Sequence, residues 1–462
     1  MTLTSSAHRF INTDFYQITM AAGYAAYQPD TVASFELYVR RLPAHRHFLV
    51  AAGLEQALDY LENARFLPED IEALKKHPAL RHLPEHFFEQ LTHFRFTGDV
   101  HALPEGTVFF AYTPLLRITA PLMEAQIVET YLLALLNYQT GVASKAARIQ
   151  NALKKSRGVD FIDFGSRRAH GPEAAIHAAR AAFIGGAAAT ANVAAGLALD
   201  IPITGTAAHA WTMAFEEEST AFENYHRLYP HHTTLLVDTY DTLQGVDRAI
   251  AAAGQQLKGI RLDSGDFLSL SIRARQKLDA AGLHHTRIIV SGDMNEEKID
   301  ALLTAGAPID GFGVGTELTT CRDAPSLGGV YKLVETIDAT GKKRYGIKAS
   351  ASKISYPGQK QVWRTTHNGK FAGDVVHLAT HLPPHSISDT TPLLQCVMKN
   401  GRRQQASRSL REIQAFARDQ LEALPTFLQE LHPEHAYPCD IGKDVQELYE
   451  AQNKNTVKVG QL

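Results

Sequence analysis

The chain has 462 residues, 45% of them apolar and 21% charged, with 32 glycines and 20 prolines. At about 150 residues per domain, this length allows three domains or one large barrel-type domain with an extra layer, and the composition excludes disordered, collagenous and coiled-coil chains. Lys plus Arg total 46 and Asp plus Glu 49, a formal net charge of -3. No global positive field therefore exists to hold a nucleic-acid backbone or an anionic membrane, and any anion site must be local.

The N-terminal stretch Met1 to Asp14 has no apolar core of the kind a secretory signal needs. The three cysteines, Cys321, Cys396 and Cys439, are far apart and form no CxxC, which argues against a disulfide framework or a zinc cluster and for a reducing cytoplasm. Up to about residue 135, helical patterns over Asp14 to Tyr27, Leu49 to Asn63 and Pro68 to Lys76 mix with β-rich runs at Thr31 to Val39 and Gly98 to Leu103, an α+β segment. Ala181 to Leu199 carries no formal charge, but its alanines and glycines predict buried small-residue packing, not a membrane span. Among the 22 histidines no HExxH occurs, and the pairs His45/His47, His231/His232 and His284/His285 read as surface or loop residues.

From about 155 to 335, β-type runs recur at Val159–Phe164, Ile203–Thr206, Leu235–Asp238, Gly259–Asp263, Ile288–Ser291, Gly311–Gly315 and Gly329–Val334. Helical patterns lie between them at Trp211–Leu228, Leu243–Ala253, Phe267–Ala281 and Asn295–Ala305. Such alternation predicts βαβ units and a parallel sheet closed into a barrel or most of one. Beyond about 340 the chain turns to Lys/Gly-rich turns, short strands and a helical region near Ser409–Leu431. The expected organisation is an N-terminal α+β segment over 1–135, a catalytic α/β barrel over 136–340, and a C-terminal segment over 341–462 that packs partly with the first.

Nearly every expected barrel strand ends in a polar or glycine cluster: Asp163 to Gly171, Gly205 to His209, Asp238 to Thr242, Arg261 to Asp266, Ser291 to Asp293 and Gly313 to Thr316. In parallel α/β architectures these loops converge on one face, where the active site sits. Arg167, Arg168 and Arg261 supply planar donor forks for phosphate or carboxylate. Asp263 and Asp266, in one short turn, suit a hard cation such as Mg2+ or ribose hydroxyls. Gly292, Gly313 and Gly315 let backbone N–H groups approach an anion. Together these groups fit a phosphorylated sugar with Mg2+. His209 stands on the same face, either as acid, base or nucleophile, or as a helix cap.

Several stretches in order resemble the nicotinate phosphoribosyltransferases of the type II phosphoribosyltransferase group. They are Thr13-Asp14-Phe15-Tyr16-Gln17, Asp163-Phe164-Gly165-Ser166-Arg167-Arg168, Gly205-Thr206-Ala207-Ala208-His209-Ala210-Trp211, Asp238-Thr239-Tyr240-Asp241-Thr242, Arg261-Leu262-Asp263-Ser264-Gly265-Asp266 and Phe312-Gly313-Val314-Gly315-Thr316. Tyr331-Lys332-Leu333-Val334-Glu335, Lys348-Ala349-Ser350, Lys353 and Pro357-Gly358 extend the resemblance to about residue 365. It implies an incomplete or irregular α/β barrel with an α+β domain built from the N- and C-terminal segments. It also implies a reaction: nicotinate displaces pyrophosphate from 5-phosphoribosyl 1-pyrophosphate, with Mg2+ and with ATP hydrolysed through a phosphohistidine.

Carried onto this sequence, the resemblance makes Phe164 and Tyr16 the aromatic pair around the pyridine ring, Tyr16 reaching in from the second subunit of a homodimer with shared sites. Arg167 and Arg261 fall near the ring carboxylate and the diphosphate, with Arg168 beside them. Asp263 faces the ribose hydroxyls or, with Asp266, the Mg2+. Gly292, Asp293, Gly313, Val314, Gly315 and Thr316 cradle the 5-phosphate, and His209 takes the phosphoryl group. Nicotinamide-specific relatives carry an acidic residue where this chain has Thr190-Ala191-Asn192-Val193, which favours the acid as substrate. The alternatives are a nicotinamide enzyme of the same fold and a catalytically silent nucleotide-binding barrel; neither nucleic acid nor membrane is an expected partner.

Overall fold

The computed structural model describes residues 10–348, 354–381 and 389–459. Six parallel strands form one sheet: Asp160–Asp163, Ala189–Thr190, Thr234–Leu236, Gly259–Leu262, Arg287–Val290 and Gly311–Val314. Their spatial order starts at Ala189–Thr190, continues through Asp160–Asp163, Gly311–Val314, Arg287–Val290 and Gly259–Leu262, and ends at Thr234–Leu236. A single parallel bridge from Thr190 to Ile203 adds the beginning of a seventh strand at the first edge. This is the cyclic order of an α/β barrel with one seam left open, between Ile203 and Thr234. Phe161, Ile260, Leu262, Ile288, Val290, Phe312 and Val314 are buried along these strands, as residues covered on both faces of a parallel sheet should be.

The helices between the strands begin on side-chain caps, which fixes where each loop ends. Asn192, Asp241, Asp266 and Asn295 each accept from the backbone N–H three residues on, opening the helices Val193–Leu199, Thr242–Ala253, Phe267–Ala280 and Glu296–Thr304. The alanine-rich stretch divides. Ala181, Ala182 and Ala187 are buried, and at Gly185 a Cβ would stand 2.3 Å from the Ala143 carbonyl oxygen, so only small residues permit this helix contact. Further on, Val193 and Leu197 are exposed, and Ala189–Thr190 is a strand that the sequence does not announce.

Two boundaries differ from expectation. Gly329–Ile337 is not a barrel strand; it pairs antiparallel with Val32–Val39, Phe35 opposite Leu333. Trp211–Leu228 is not one helix, since His209–Met213 and Glu218–Leu228 are separated by a break at the open seam.

The seven-stranded antiparallel sheet interleaves distant parts of the chain: Lys343–Tyr345, Gly329–Ile337, Val32–Val39, Pro114–Pro121, Asp99–Ala102, Gln395–Lys399 and Arg402–Arg403. N- and C-terminal segments thus share one α+β layer beside an incomplete α/β barrel. The helix Glu129–Leu153 is continuous across residue 135 and joins the two bodies. Leu132, Leu135 and Leu136 enter the core of the antiparallel layer, while Val142, Ala146 and Ile149 enter that of the barrel. Its buried Lys145 and Arg148 pair with Glu296 at 2.7 and 3.0 Å, so its apolar period is broken by charges that the fold neutralises internally. Among the described residues no helix is long and apolar enough to cross a membrane.

Candidate active site

Arg261, at the end of its strand and nearly buried, organises the mouth of the barrel. Its Nε donates to Ser291 Oγ at 2.7 Å, Nη1 to Thr206 Oγ1 at 2.9 Å and Nη2 to Asp263 Oδ1 at 2.7 Å. The guanidinium carbon lies 5.3 Å from the centre of the Phe164 ring, a cation–π contact. One side chain thereby joins the loops after four strands. A lysine could hold only a point contact in this fork.

Asp263 is fixed from both sides. Its Oδ1 accepts from Arg261 and from the Ser291 hydroxyl, and its backbone N–H donates to Asp238 Oδ2 at 2.9 Å. Burial pushes its carboxyl upward, but the hydrogen bond from Ser291, the Arg261 charge and bond, and nearby His209 together hold it below the ordinary carboxylate range. Asp238 Oδ2 also accepts from the Ser264 hydroxyl at 2.7 Å, whereas Asp238 Oδ1 is buried with no hydrogen-bond partner. His209 opens a helix of five residues, Nδ1 3.1 Å from Thr239 Oγ1 and Nε2 3.7 Å from Asp263 Oδ2. Nε2 is the ring nitrogen turned to the site.

Phe164 forms the floor beside Arg261. At Gly313 a Cβ would meet the Phe164 ring at 2.4 Å, so the missing side chain is the space the ring occupies. Gly313 therefore packs an aromatic platform from within its strand. Asp163 is buried, its Oδ1 accepting from Gly165 N–H and its Oδ2 from the Thr190 hydroxyl, each at 2.8 Å, and burial raises its carboxyl pKa. After it, the short 3-10 turn Ser166–Arg168 exposes Arg167 and Arg168, whose guanidinium groups make no hydrogen bond or ion pair with the described residues. Asn192 Nδ2 donates to Ser166 Oγ at 3.1 Å and Oδ1 accepts from Ala195, so its side chain is committed to shaping this turn.

Gly292 has φ +90°, and a Cβ there would lie 2.2 Å from the Asp263 carbonyl oxygen; two loops can approach this closely only over glycine. Asp293 follows with φ +45°, its carbonyl held by Lys298 Nζ at 2.8 Å. Gly315 leads into the short helix Thr316–Thr319, with Thr316 at its first position. Asp266 is exposed, and its Oδ1 caps the following helix, accepting from Ser269 N–H at 3.4 Å. Tyr16 is apart from all of these. It lies on the helix Phe15–Tyr27, 46% exposed, with its hydroxyl 3.4 Å from Glu129 Oε2. Ala349, Ser350 and Lys353 lie outside the described residues.

The structural roles of Thr206, Asp238, Thr239 and Ser291 are not assigned by the sequence, although all four stand in its strand-end clusters. Two carboxylate oxygens here accept no hydrogen bond from the described residues, Asp263 Oδ2 and the buried Asp238 Oδ1, and they suit a cation held by one or two carboxylates, its own waters and substrate phosphates, which is how Mg2+ is commonly bound. Asp266, with one oxygen engaged as a cap, fits that donor set less well.

Three profiles of one family match in sequence: the nicotinate phosphoribosyltransferase N-terminal domain at residues 11–137, the family itself at 159–371 and its C-terminal domain at 385–449. The chain is 42% identical over 455 residues to nicotinate phosphoribosyltransferase pncB2 of Mycobacterium tuberculosis, covering 96% of this chain and 94% of that one. This chain belongs to the nicotinate phosphoribosyltransferase family. A relative from Bacillus subtilis, named nicotinate phosphoribosyltransferase, is 38% identical with 96% of each chain covered. The crystal structure of human nicotinic acid phosphoribosyltransferase superposes with a TM-score of 0.82 at 26% identity, covering 95% of this chain and 99% of that one.

Proposed function

We propose that this protein is a nicotinate phosphoribosyltransferase, which joins the ring nitrogen of nicotinate to C1 of 5-phosphoribosyl 1-pyrophosphate and releases pyrophosphate, giving nicotinate mononucleotide for NAD synthesis. The observation that carries this reading is the Arg261 fork, stacked on Phe164 and bonded to Asp263, Ser291 and Thr206 at the barrel mouth, in a chain of this family. The pyridine nitrogen has a lone pair and no proton to lose, so the reaction calls for positioning and charge stabilisation, not for a strong base. Phe164 offers a face to the ring, and Arg261 stabilises negative charge as the C1–oxygen bond to pyrophosphate breaks. Asp263, kept ionised, faces the ribose or the positive charge that develops at C1. The Gly292 and Gly315 loops would receive the 5-phosphate.

Mg2+ bound at Asp263 Oδ2 or Asp238 Oδ1 would supply charge neutralisation for the diphosphate. ATP is the expected co-substrate. With Nδ1–H donated to Thr239, His209 Nε2 carries the lone pair that attacks the γ-phosphorus; ADP leaves, and water later releases phosphate and restores the imidazole. A phosphoryl group there places about two negative charges beside Asp263, a repulsion that alters how the Asp263 loop sits and so couples hydrolysis to substrate affinity.

The acid is favoured over the amide because Arg167 and Arg168 are exposed and unpaired after Phe164, while Asn192 and buried Asp163 present no free carboxylate. Tyr16, which has no contact with Phe164 in its own chain, would complete the site from the partner subunit of a homodimer. The exposed Val193, Leu197, Ile203 and Met213 along the open seam support a covered surface there. Such an enzyme would work in the cytoplasm. Steady-state comparison of nicotinate with nicotinamide, at saturating phosphoribosyl pyrophosphate and Mg2+, tests the reading; a higher kcat/KM for the amide would refute it.

A further inference from the structure

The four-stranded sheet of the C-terminal segment carries a second group of polar side chains, separate from the barrel mouth. His377 lies near the end of the strand Lys370–Leu378, and a turn closed by His381 N–H on the Leu378 carbonyl at 2.8 Å folds the next residues back. The two imidazoles stack, centroids 4.2 Å apart and 6° from parallel. Asp444, in the first turn of the helix Lys443–Val459, closes the group from the other side. Its Oδ1 lies 2.8 Å from His377 Nδ1, and its Oδ2 lies 2.8 Å from Leu378 N and 3.8 Å from His381 Nδ1. One potential ligand atom from each residue lies within 4.8 Å of the other two, the only such trio among the described residues.

We propose that His377, His381 and Asp444 bind a borderline divalent cation of the zinc class, which clips the C-terminal helix to the end of the strand Lys370–Leu378. A His–Asp hydrogen bond needs one imidazole. Here a second turns its Nδ1 toward the same carboxylate at a distance too long for a hydrogen bond, the separation that a shared cation would bridge. The spacing His-x3-His is one that zinc sites use, and two neutral imidazoles with one carboxylate suit zinc, whereas Mg2+ prefers oxygen ligands. Two further features are those of a built site. Leu378 N–H orients the carboxylate as an outer-shell partner. At Gly442 a Cβ would stand 2.4 Å from His377 Nδ1 and 2.6 Å from Asp444 Oδ1, so glycine there keeps the pocket open. The side chains are 20%, 39% and 20% exposed for His377, His381 and Asp444, which leaves an entry path and room for water as a further ligand.

The test uses the full chain without an added histidine tag, stripped with chelator and given Zn2+ in the presence of excess Mg2+. One Zn2+ per chain should survive desalting and raise the unfolding midpoint, and Co2+ in its place should give a visible absorption band. His381→Asn, which removes a ligand, and Gly442→Ala, whose Cβ would stand against His377 Nδ1 and Asp444 Oδ1, should each weaken Zn2+ binding at least about tenfold, the lower end of what loss of an outer-shell partner alone costs. Phosphoribosyl transfer by His381→Asn should be unchanged. Gly442→Ala, with all three ligands present, checks the result independently of any folding defect in His381→Asn. Failure of the wild type to retain Zn2+, or equal retention by the wild type and both variants, would overturn the proposal, the latter by assigning the metal to other histidines.

Discussion

Gly313→Ala adds one carbon directly against the Phe164 ring. The added methyl would sit 2.4 and 2.5 Å from two carbons of the Phe164 ring and 3.1 Å from Ser291 Cβ. Carbon atoms pack best at about 3.5–4.0 Å, so the ring must move by more than about 1 Å or the strand must give. Overpacking of this kind costs about 1–3 kcal/mol of stability. Because Phe164 also lies 5.3 Å from the Arg261 guanidinium, the displaced ring loses that contact and, on the proposed function, its place under the pyridine. Loss of one aromatic stack, about 0.5–1.5 kcal/mol, should raise the KM for nicotinate about two- to tenfold. The KM for phosphoribosyl pyrophosphate should change less. Thermal unfolding and steady-state kinetics measure the two parts, and Gly313→Ala combined with Phe164→Leu separates them. The smaller side chain should recover much of the stability while the nicotinate KM stays raised. An unchanged KM for nicotinate in folded Gly313→Ala would refute the assignment of Phe164 as the base platform.

His209→Ala should abolish ATP stimulation while leaving some ATP-independent transfer; unchanged stimulation would exclude the phosphohistidine. Tyr16→Ala should raise the nicotinate KM by about fivefold or more through lost stacking, and mixed dimers with one inactive barrel would show whether the tyrosine comes from the partner. Arg180 and Glu105 form a buried pair at 2.6 Å, with Glu105 also accepting from Gly53 and Leu54 N–H groups. Arg180→Met should cost about 3–5 kcal/mol, read from denaturant unfolding. Burial raises the Glu105 pKa, but Arg180 and the backbone donors outweigh it and lower it below its ordinary value. A lowered native pKa means that the wild-type stabilisation is present above the unfolded-state value and disappears as pH falls through the native one. Unfolding midpoints should therefore fall in acid for the wild type, and a Glu105→Gln variant should show less of that dependence.

The barrel was readable because its strands are apolar runs closed by polar clusters at regular intervals, and because Asp and Asn caps mark the helices that follow. Arg261 and Asp263 were visible in the same way, as charged residues at a strand end. Other elements left weaker signals. Ala189–Thr190 is only two residues long and lies inside an alanine-rich stretch, where small residues satisfy helix and strand alike. Gly329–Ile337 has the composition of a barrel strand, and only its pairing with Val32–Val39, far away in sequence, places it in the other sheet. The sequence reads Gly313 as part of a phosphate cradle; that it also makes room for Phe164 depends on a contact across the sheet. That His377 and His381 meet Asp444 is not legible in the sequence, because Asp444 lies 63 residues beyond His381.

Product formation from phosphoribosyl pyrophosphate and Mg2+, with nicotinate or nicotinamide and with or without ATP, separates the nicotinate reaction from its alternatives when mononucleotide and ADP are scored together. The site described here predicts nicotinate mononucleotide with ADP formed in step, and little product from the amide. Mononucleotide from nicotinamide alone, or no product with either base despite binding of phosphoribosyl pyrophosphate, would contradict it.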